Sequence, residues 1–408
     1  MNEMEDVWRR EAPHVLAALL RRHGDLADCE DAAAEAAVAA VQQWPSAGLP
    51  DDPRAWLITV ASRRLIDRVR SDSARRRREA AETAGADEPG TAVTTSESDD
   101  SLQMLLLCCH PALSRPSQVA LALRSVGGLT VEQISAAYLV PARTMTQRLT
   151  RARATLREAG ATFTWPSAEE LPARVAAVLD ACYLMFNEGY TRTAGPDLLD
   201  PGLAGEAVRL TRLVHEAVPD HAEATGALAL MLLTQARAPA RVDAAGDLVP
   251  LAEQDRTLWD TAAAAEGLAL THDALRLGHV GPFQVQAAIA SLHVEAATAE
   301  QTDWTQISLL YATLSDLAPG PAVTLNRAVA VGMARGPEAG LGTLAPLLTN
   351  GALARHHRLH AVHAHLLELA GDTTAAATAY DLAIRYARSV PEQRYLGRRL
   401  AALTADPR

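Results

Sequence analysis

Apolar residues recur at helical spacing along most of the chain, and the elements they predict are helices. Val7, Trp8, Val15, Leu16, Leu19 and Leu20 give residues 5–22 an apolar side, with Arg9, Arg10, Arg21 and Arg22 outward. Asp28–Trp44 predicts a second helix, with Asp28, Glu30 and Asp31 near its positive N-terminal end, where acids are favoured. After a loop at Pro45–Asp52, Asp52 at the N-cap and Pro53 at the first helical position open a third helix. Trp56, Leu57, Val60, Leu65 and Val69 are its apolar positions; Arg63, Arg64, Arg68 and Arg70 follow among them, and Arg75–Arg78 close the unit.

Glu79–Asp100 breaks the pattern. It holds seven acids and no basic residue among Gly, Pro, Ser and Thr, with almost nothing to bury, which predicts a disordered linker. A flexible tether lets the units on either side take a spacing set by a partner. Helical spacing resumes over Leu102–Cys109 and Ser117–Val126, and Gly127-Gly128 leads into Leu129–Arg157. There Thr130 and Gln133 form a capping-box pattern, with Val131, Ile134 and Tyr138 on one face. Val140-Pro141 ends that short helix and starts another. In the second, Met145, Leu149, Ala152 and Leu156 make an apolar stripe. The opposite face carries Arg143, Gln147 and Thr150, flanked by Thr144, Arg148 and Arg151. This is the sequence form of a helix-turn-helix. Arg reads guanine bidentately, Gln reads adenine, and further arginines neutralise phosphates. A plain amphipathic surface helix fits the same stretch taken alone.

The formal net charge of -11 over 408 residues argues at first against DNA binding, but its distribution reverses that. Residues 1–160 carry 20 arginines against 22 acids, and the rest carries 18 against 27. Within Arg54–Arg78, nine arginines meet two acids, a local +7. Cys29, Cys108, Cys109 and Cys182 lack metal-ligand spacing and read as buried small hydrophobes. No metal or cofactor is expected. An acidic, polar N-terminus without a signal-peptide pattern, and the lack of a long apolar run, predict a cytoplasmic protein without membrane contact.

With these motifs in this order, the chain resembles the extracytoplasmic-function sigma factors of bacterial RNA polymerase. DPRAWLITVASRRLIDRVR at Asp52–Arg70 is similar to the family's segment for melting and reading the −10 element, and the helix-turn-helix with QRLTRARATLR to its −35 reader. DCEDAAAEAAVAAVQQW at Asp28–Trp44 is similar to the segment that docks on the clamp helices of the polymerase β′ subunit. Arg63 stands where the family usually carries Asn, and Ala34 and Ala37 where it often carries Gln and an aromatic. The resemblance implies −35 contacts from Arg143, Thr144, Gln147, Arg148 and Arg151. It implies −10 contacts from Arg54, Trp56, Arg63, Arg64, Arg68 and Arg70, with loop Pro45–Asp52 as the pocket for a flipped base. It implies polymerase contacts from Asp28, Asp31 and Glu35, with the β′ clamp helices, the β flap and promoter DNA as partners. For Trp56 a core role competes with base contact.

An ordinary member of this family stops near Arg157, whereas here about 250 further residues read as helices. They include Leu171–Glu188, Leu203–Val218, His221–Arg237, Trp259–Leu275, Gly281–Glu300 and Thr302–Leu317, then the pairs Ala322–Ala334 with Pro337–Leu348 and His357–Ala370 with Thr374–Ser389. Ala376, Tyr380 and Ala383 recur at i, i+4 and i+7, the small-residue logic of tetratricopeptide (TPR) repeats. FNEGY, EQDRTLWD, GPFQVQAAIASLH, TDW and LNRAVAV look like signatures of the sigma-factor group with a C-terminal TPR-like extension. Glu188, Asp255, Arg256, Gln286, His293, Asp303 and Asn326 line a possible groove or act as buried helix ties. His293 with Asp303 brings neither a nucleophile nor a metal set, so no enzyme is expected.

The expectation is an all-α chain: sigma region 2 at 1–78, an acidic flexible linker at 79–100, sigma region 4 at 101–160, and a TPR-like regulatory domain at 161–408. That domain, at -9, is expected to touch the basic sigma domains intramolecularly. A free-standing helix-turn-helix regulator with a TPR-like sensor is the rival reading; such a regulator has no use for Asp28–Arg70.

Overall fold

The computed structural model describes residues 3–79, 100–138 and 140–405. Every regular element among them is a helix, apart from two isolated bridges, Gly195 with Ser389 and Val242 with Leu248. The chain divides into two compact units, Met1–Cys182 and Tyr183–Arg408. The expected linker lies almost wholly outside the described residues, as do the side chains of Arg75–Arg78.

Unit 1 begins with α1 (Glu3–His23), α2 (Leu26–Ala47) and α3 (Pro53–Glu79). Gly24, at φ 73°, ends α1 in the left-handed conformation that glycine adopts without strain. Asp25 then caps α2 by accepting from the Asp28 amide at 3.0 Å, and Asp52 caps α3 by accepting from the Ala55 amide at 2.9 Å. Leu16, Leu19, Cys29, Ala32, Ala36, Leu57, Ala61 and Leu65 fill the space between the three helices. The small residues of α2 allow its neighbours to approach closely.

After the undescribed segment come α4 (Ser101–Cys108), α5 (Arg115–Ser125), α6 (Val131–Ala137) and α7 (Ala142–Glu158). Unit 1 does not end at Gly160. Gln103 Nε2 donates to the Phe163 carbonyl at 2.9 Å, and Arg174 donates to the Leu106 carbonyl at 3.1 Å and to Glu170 at 2.6 Å. Arg115 pairs with Asp180 at 2.8 Å. The first half of α8 (Leu171–Tyr190) thus belongs with α4 and α5, and the boundary falls inside this helix. All four cysteines are buried and none is part of a disulfide, and burial pushes the Cys29 and Cys108 thiols up to about 12.

Unit 2 runs from the end of α8 through α9 (Pro201–Ala217), α10 (Ala222–Gln235), α11 (Thr261–Arg276), α12 (Pro282–Glu295), α13 (Trp304–Leu317), α14 (Pro321–Arg335), α15 (Pro337–Leu348), α16 (His357–Leu369), α17 (Thr373–Tyr386) and α18 (Val390–Ala405). Each helix packs on its neighbours in sequence. Val285, Ile289, Ile307, Leu314 and Ala330 join α12 to α14; Leu325, Leu344, Leu359 and Leu366 join α14 to α16; Ala364, Tyr380, Ala383 and Leu396 join α16 to α18. Gly226 makes the α10–α12 crossing possible, since a Cβ there would lie 2.8 Å from the backbone nitrogen of Gln284.

Helix α18 goes beyond the sequence reading, which closed the last pair at Ser389. Val390-Pro391 and a run of arginines hide its apolar positions, of which only Pro391 and Leu396 are fully buried. The expected helix Gly281–Glu300 stops at Glu295, and a separate turn spans Ala299–Gln301. The serial stack closes on itself. The Val390 amide donates to Gly195 at 3.0 Å, and Arg394 pairs with Asp247 at 3.3 Å.

Candidate nucleic-acid interface

The α6–α7 pair is built from its caps inward. Thr130 Oγ1 accepts from the Gln133 amide at 3.2 Å, and Gln133 Oε1 accepts from the Thr130 amide at 2.8 Å, so the capping box is reciprocal. Pro141 stands at the N-cap of α7 in an extended conformation, which turns the chain sharply. Met145, Leu149, Ala152 and Leu156 are buried against α5 and α6. The stripe that anchors α7 forces its opposite side outward, where Arg143, Thr144, Gln147, Thr150 and Arg151 are all exposed.

Arg148 is placed differently. It is half-buried, with its guanidinium 5.4 Å from the Tyr138 ring centroid and Nη1 buried without a partner. Tyr138 Oη in turn donates to the Pro116 carbonyl at 3.2 Å, and burial raises its phenol to about 12. Arg148 braces the turn, and the free face belongs to its neighbours.

Around α3 the arginines divide into tethered and free. Arg54 donates to Glu11 at 2.7 Å, fastening the start of α3 to α1. Arg68 bridges Asp31 at 2.8 Å and Glu35 at 2.5 Å, and Arg64 stands 3.8 Å from Glu35. Two of the expected polymerase-facing acids and two of the expected −10 arginines therefore meet in one surface network. Such exposed pairs contribute about 0–1 kcal/mol each, so a partner of higher charge density displaces them readily. Arg63 and Arg70 are exposed, and Asp28 lies half-buried in the first turn of α2. Trp56 is half-buried and packs edge-on against Trp44, ring centroids 5.3 Å apart. Further along α2, Val38 and Val41 are 56% and 58% exposed, an apolar strip that the charge pattern did not reveal.

Sequence reading also missed the joint within unit 1. Glu30 of α2 accepts from both Arg153 of α7 and Ser125 of α5, and Asp25 accepts from Arg157 at 2.9 Å. Arg21 of α1 donates to Asp100 at 2.9 Å. The Arg157 guanidinium holds the Asp25 carboxyl below the usual carboxylate range. Beside these pairs lies a cavity of about 430 Å³, lined in part by Trp8, Glu30, Arg124 and Arg153. The joint is polar and incompletely filled, unlike the helix packing on either side of it. Pairings across more than a hundred residues leave no local signal; the i, i+4 spacing of Arg153 and Arg157 on the inner edge of α7 is their only trace.

In unit 2 the expected groove residues serve different ends. Glu188 is buried and accepts from the amide and hydroxyl of Thr193. Asp255 accepts from Thr257, and Asp303 caps α13 through the Gln306 amide at 2.8 Å. His293 packs edge-on against Trp304 at 5.3 Å, and burial beside Arg237 and Arg256 lowers its pKa to about 4. Arg256 donates to the carbonyls of His293 and Ala296 at 2.7 Å each. Gln286 and Asn326 do share one interior, through Tyr183 at 3.1 Å from Gln286 and through Tyr311 bonded to Asn326. Among the described residues there is no cluster of three or more His, Cys, Asp or Glu fit to hold a metal, and no helix is long and apolar enough to cross a membrane.

Three stretches of the chain match family models. Residues 7–75 match Sigma-70 region 2, residues 103–156 match Sigma-70 region 4, and residues 174–275 match a family of unknown function (DUF6596). An uncharacterized protein of Rhizobium meliloti (strain 1021) is 42% identical over 97% of this chain and 94% of its own length. A probable ECF RNA polymerase sigma factor, SigI of Mycobacterium tuberculosis, is 30% identical over 49% of this chain and 68% of its own length. The ECF RNA polymerase sigma factor SigK of Mycobacterium sp. (strain KMS) is 36% identical over 23% of this chain and 52% of its own length. No solved structure matches significantly.

Proposed function

Because this chain belongs to the extracytoplasmic-function sigma factors, we propose that it binds core RNA polymerase and directs initiation at promoters through two separate contacts. The observation that carries the reading is the outward face of α7: Arg143, Thr144, Gln147, Thr150 and Arg151 are all exposed, while the inner stripe is fully packed. That face supplies the donors and acceptors which read base edges in a major groove. Residues 101–160 act as region 4, reading the −35 element and meeting the β flap. Residues 1–78 act as region 2, with Arg63, Arg64, Arg68 and Arg70 along the −10 strand and Trp56 beside the loop at 48–52, the expected loop Pro45–Asp52 being shortened because α2 runs on through Pro45 to Ala47. Helix α2 docks on the β′ clamp helices through Asp28, Asp31 and Glu35, and the exposed Val38 and Val41 supply the apolar part of that surface.

The ion pairs of Glu30 with Arg153 and of Asp25 with Arg157 support a resting form in which region 4 is held on region 2. The acidic segment 79–100, all but its two end residues outside the described residues, then serves as the tether that allows the two to part on the polymerase. The C-terminal region, read as TPR-like helical repeats from 161 onward, modulates that engagement. The cell compartment is the cytoplasm, where the polymerase works.

Titration of fluorescent core polymerase with the intact protein tests the reading. Saturable binding weakened by Val38→Asp supports it. Absence of binding, together with tight sequence-specific DNA binding by the protein alone, overturns it in favour of a free-standing regulator.

A further inference from the structure

Where α1 and α2 meet α5 and α7, the facing side chains are too small to interlock. Ala12 on α1, Ala27 and Ala33 on α2, Gly128 before α6 and Ala154 on α7 all border the cavity of about 430 Å³. Interiors are ordinarily packed until such a space closes, because its walls otherwise lose their dispersion contacts. The volume is that of a site for a small organic molecule. Ala34, Arg124 and Ala154 on its rim are exposed, so the cavity is reached from solvent.

Its walls differ in chemistry. Ala12, Leu16 and Ala33 are buried apolar lining, and the half-buried Trp8 indole adds a flat aromatic surface beside them. The other side carries Arg124, Ser125 and Arg153. The charges pair off until one remains. Arg153 binds Glu30 through Nε, Arg157 binds Asp25 at 2.9 Å, and Asp31 is held by Arg68 at 2.8 Å. Arg124 is left over: its Nη1 donates to the Leu129 carbonyl at 3.0 Å, and no acid pairs with it among the described residues. The terminal nitrogens of Arg153 likewise have no hydrogen-bond partner among the described residues. One uncompensated positive charge therefore stands beside an apolar wall, on a planar fork of donors that suits a carboxylate.

We propose that this cavity binds a flat aromatic carboxylate, its ring against Trp8, Leu16 and Ala33 and its carboxylate on Arg124 with Arg153 beside it. A ligand with two negative charges is disfavoured by Glu30 and Asp31 in the lining, and a neutral ring leaves Arg124 unmatched. The ring displaces water from the apolar side, which favours binding. The bound ligand touches α1 and α2 on one side and α5 and α7 on the other, and so holds region 4 against region 2. That consequence rests on the function proposed above; the binding itself does not.

The test is calorimetric titration of the intact protein with 2-naphthoate, using 2-naphthylmethanol as the uncharged molecule of similar shape. Thermal unfolding is followed in parallel. 2-Naphthoate is expected to bind saturably at one site, at least about tenfold more tightly than the alcohol, and to raise the melting temperature. Arg124→Gln should bring the two ligands to similar affinity. Ala34→Phe, which places a ring on the exposed rim, should weaken 2-naphthoate about tenfold or more by filling the space. Arg335→Gln, at an exposed position on α14, should leave it unchanged. Should Arg124→Gln fail to fold by circular dichroism, Ala34→Phe and the comparison with the alcohol decide. The proposal is overturned if 2-naphthoate does not bind, if the alcohol binds as tightly, or if either folded variant, Arg124→Gln or Ala34→Phe, binds as the parent does. 2-Naphthoate bound by a protein that never engages core polymerase supports the site while counting against the proposed function, so the two claims fail separately.

Discussion

Glu30→Gln should open the joint between regions 2 and 4. Glu30 receives Arg153 on one oxygen and Ser125 on the other. The Glu30 and Arg153 side chains are 13% and 23% exposed, so water screens this pair only in part. A charge-assisted hydrogen bond in such a setting contributes about 1.5–3 kcal/mol. The pair of Asp25 with Arg157 adds at most about 1 kcal/mol, because Arg157 is 58% exposed. Losing the charge of Glu30 while keeping its shape should therefore shift the closed–open balance roughly 10- to 100-fold toward open.

The assay is energy transfer between dyes at Ser46→Cys on α2 and Thr146→Cys on α7, two exposed positions. Labelling is selective because the native cysteines are buried. A double-mutant cycle of Glu30→Gln and Arg153→Gln should return a coupling above about 1 kcal/mol, with transfer falling in each single variant and as salt rises. A coupling below about 0.3 kcal/mol, or unchanged transfer in Glu30→Gln, would refute the ionic latch. Since Arg157 depresses the Asp25 carboxyl, its contribution is present above the ordinary carboxylate range and fades only as pH falls through the lowered value. The closed fraction should be level near neutrality and drop in acid.

Gln147→Ala and Arg143→Ala should each change preference among −35 sequences by about 1–3 kcal/mol per base contact, read from promoter competition; Arg148→Ala should instead lower the melting temperature with little change in preference, because it braces Tyr138. Gly226→Ala should destabilise unit 2 by about 1–3 kcal/mol in urea unfolding, its Cβ meeting the Gln284 backbone. His293, lowered to about 4 by burial, stays neutral in the fold while the unfolded chain takes up a proton below its ordinary value near 6.5. Unit 2 should thus lose up to about 1.4 kcal/mol per pH unit between those values, a slope that His293→Phe removes. A chain cut after Gly160 should melt well below one cut after Glu188, since only the longer keeps Arg174 and Asp180 on α4 and α5.

What the sequence made legible was local. The capping box of Thr130 and Gln133, the Pro141 break and the Met145–Leu156 stripe are set by residues within a turn or two of one another, and all appear as read. The outward residues of α7 follow from that stripe, except Arg148, whose ring partner Tyr138 lies ten positions back across the turn. What stayed hidden was long-range. Nothing near Glu30 announces Arg153. The reach of unit 1 to Cys182 escaped notice because the helical period of α8 runs unbroken across the boundary. The C-terminal polar signatures were visible, but most are caps and ties, whose roles depend on folded neighbours.

The most direct measurement is transcription in vitro from a promoter library with purified core polymerase. The account predicts transcripts only when the intact protein is added, from templates sharing −10-like and −35-like elements, with Gln147→Ala redistributing the −35 sequences selected. Transcripts that do not depend on the protein, or a protein that supports none while occupying DNA sites without polymerase, would contradict it.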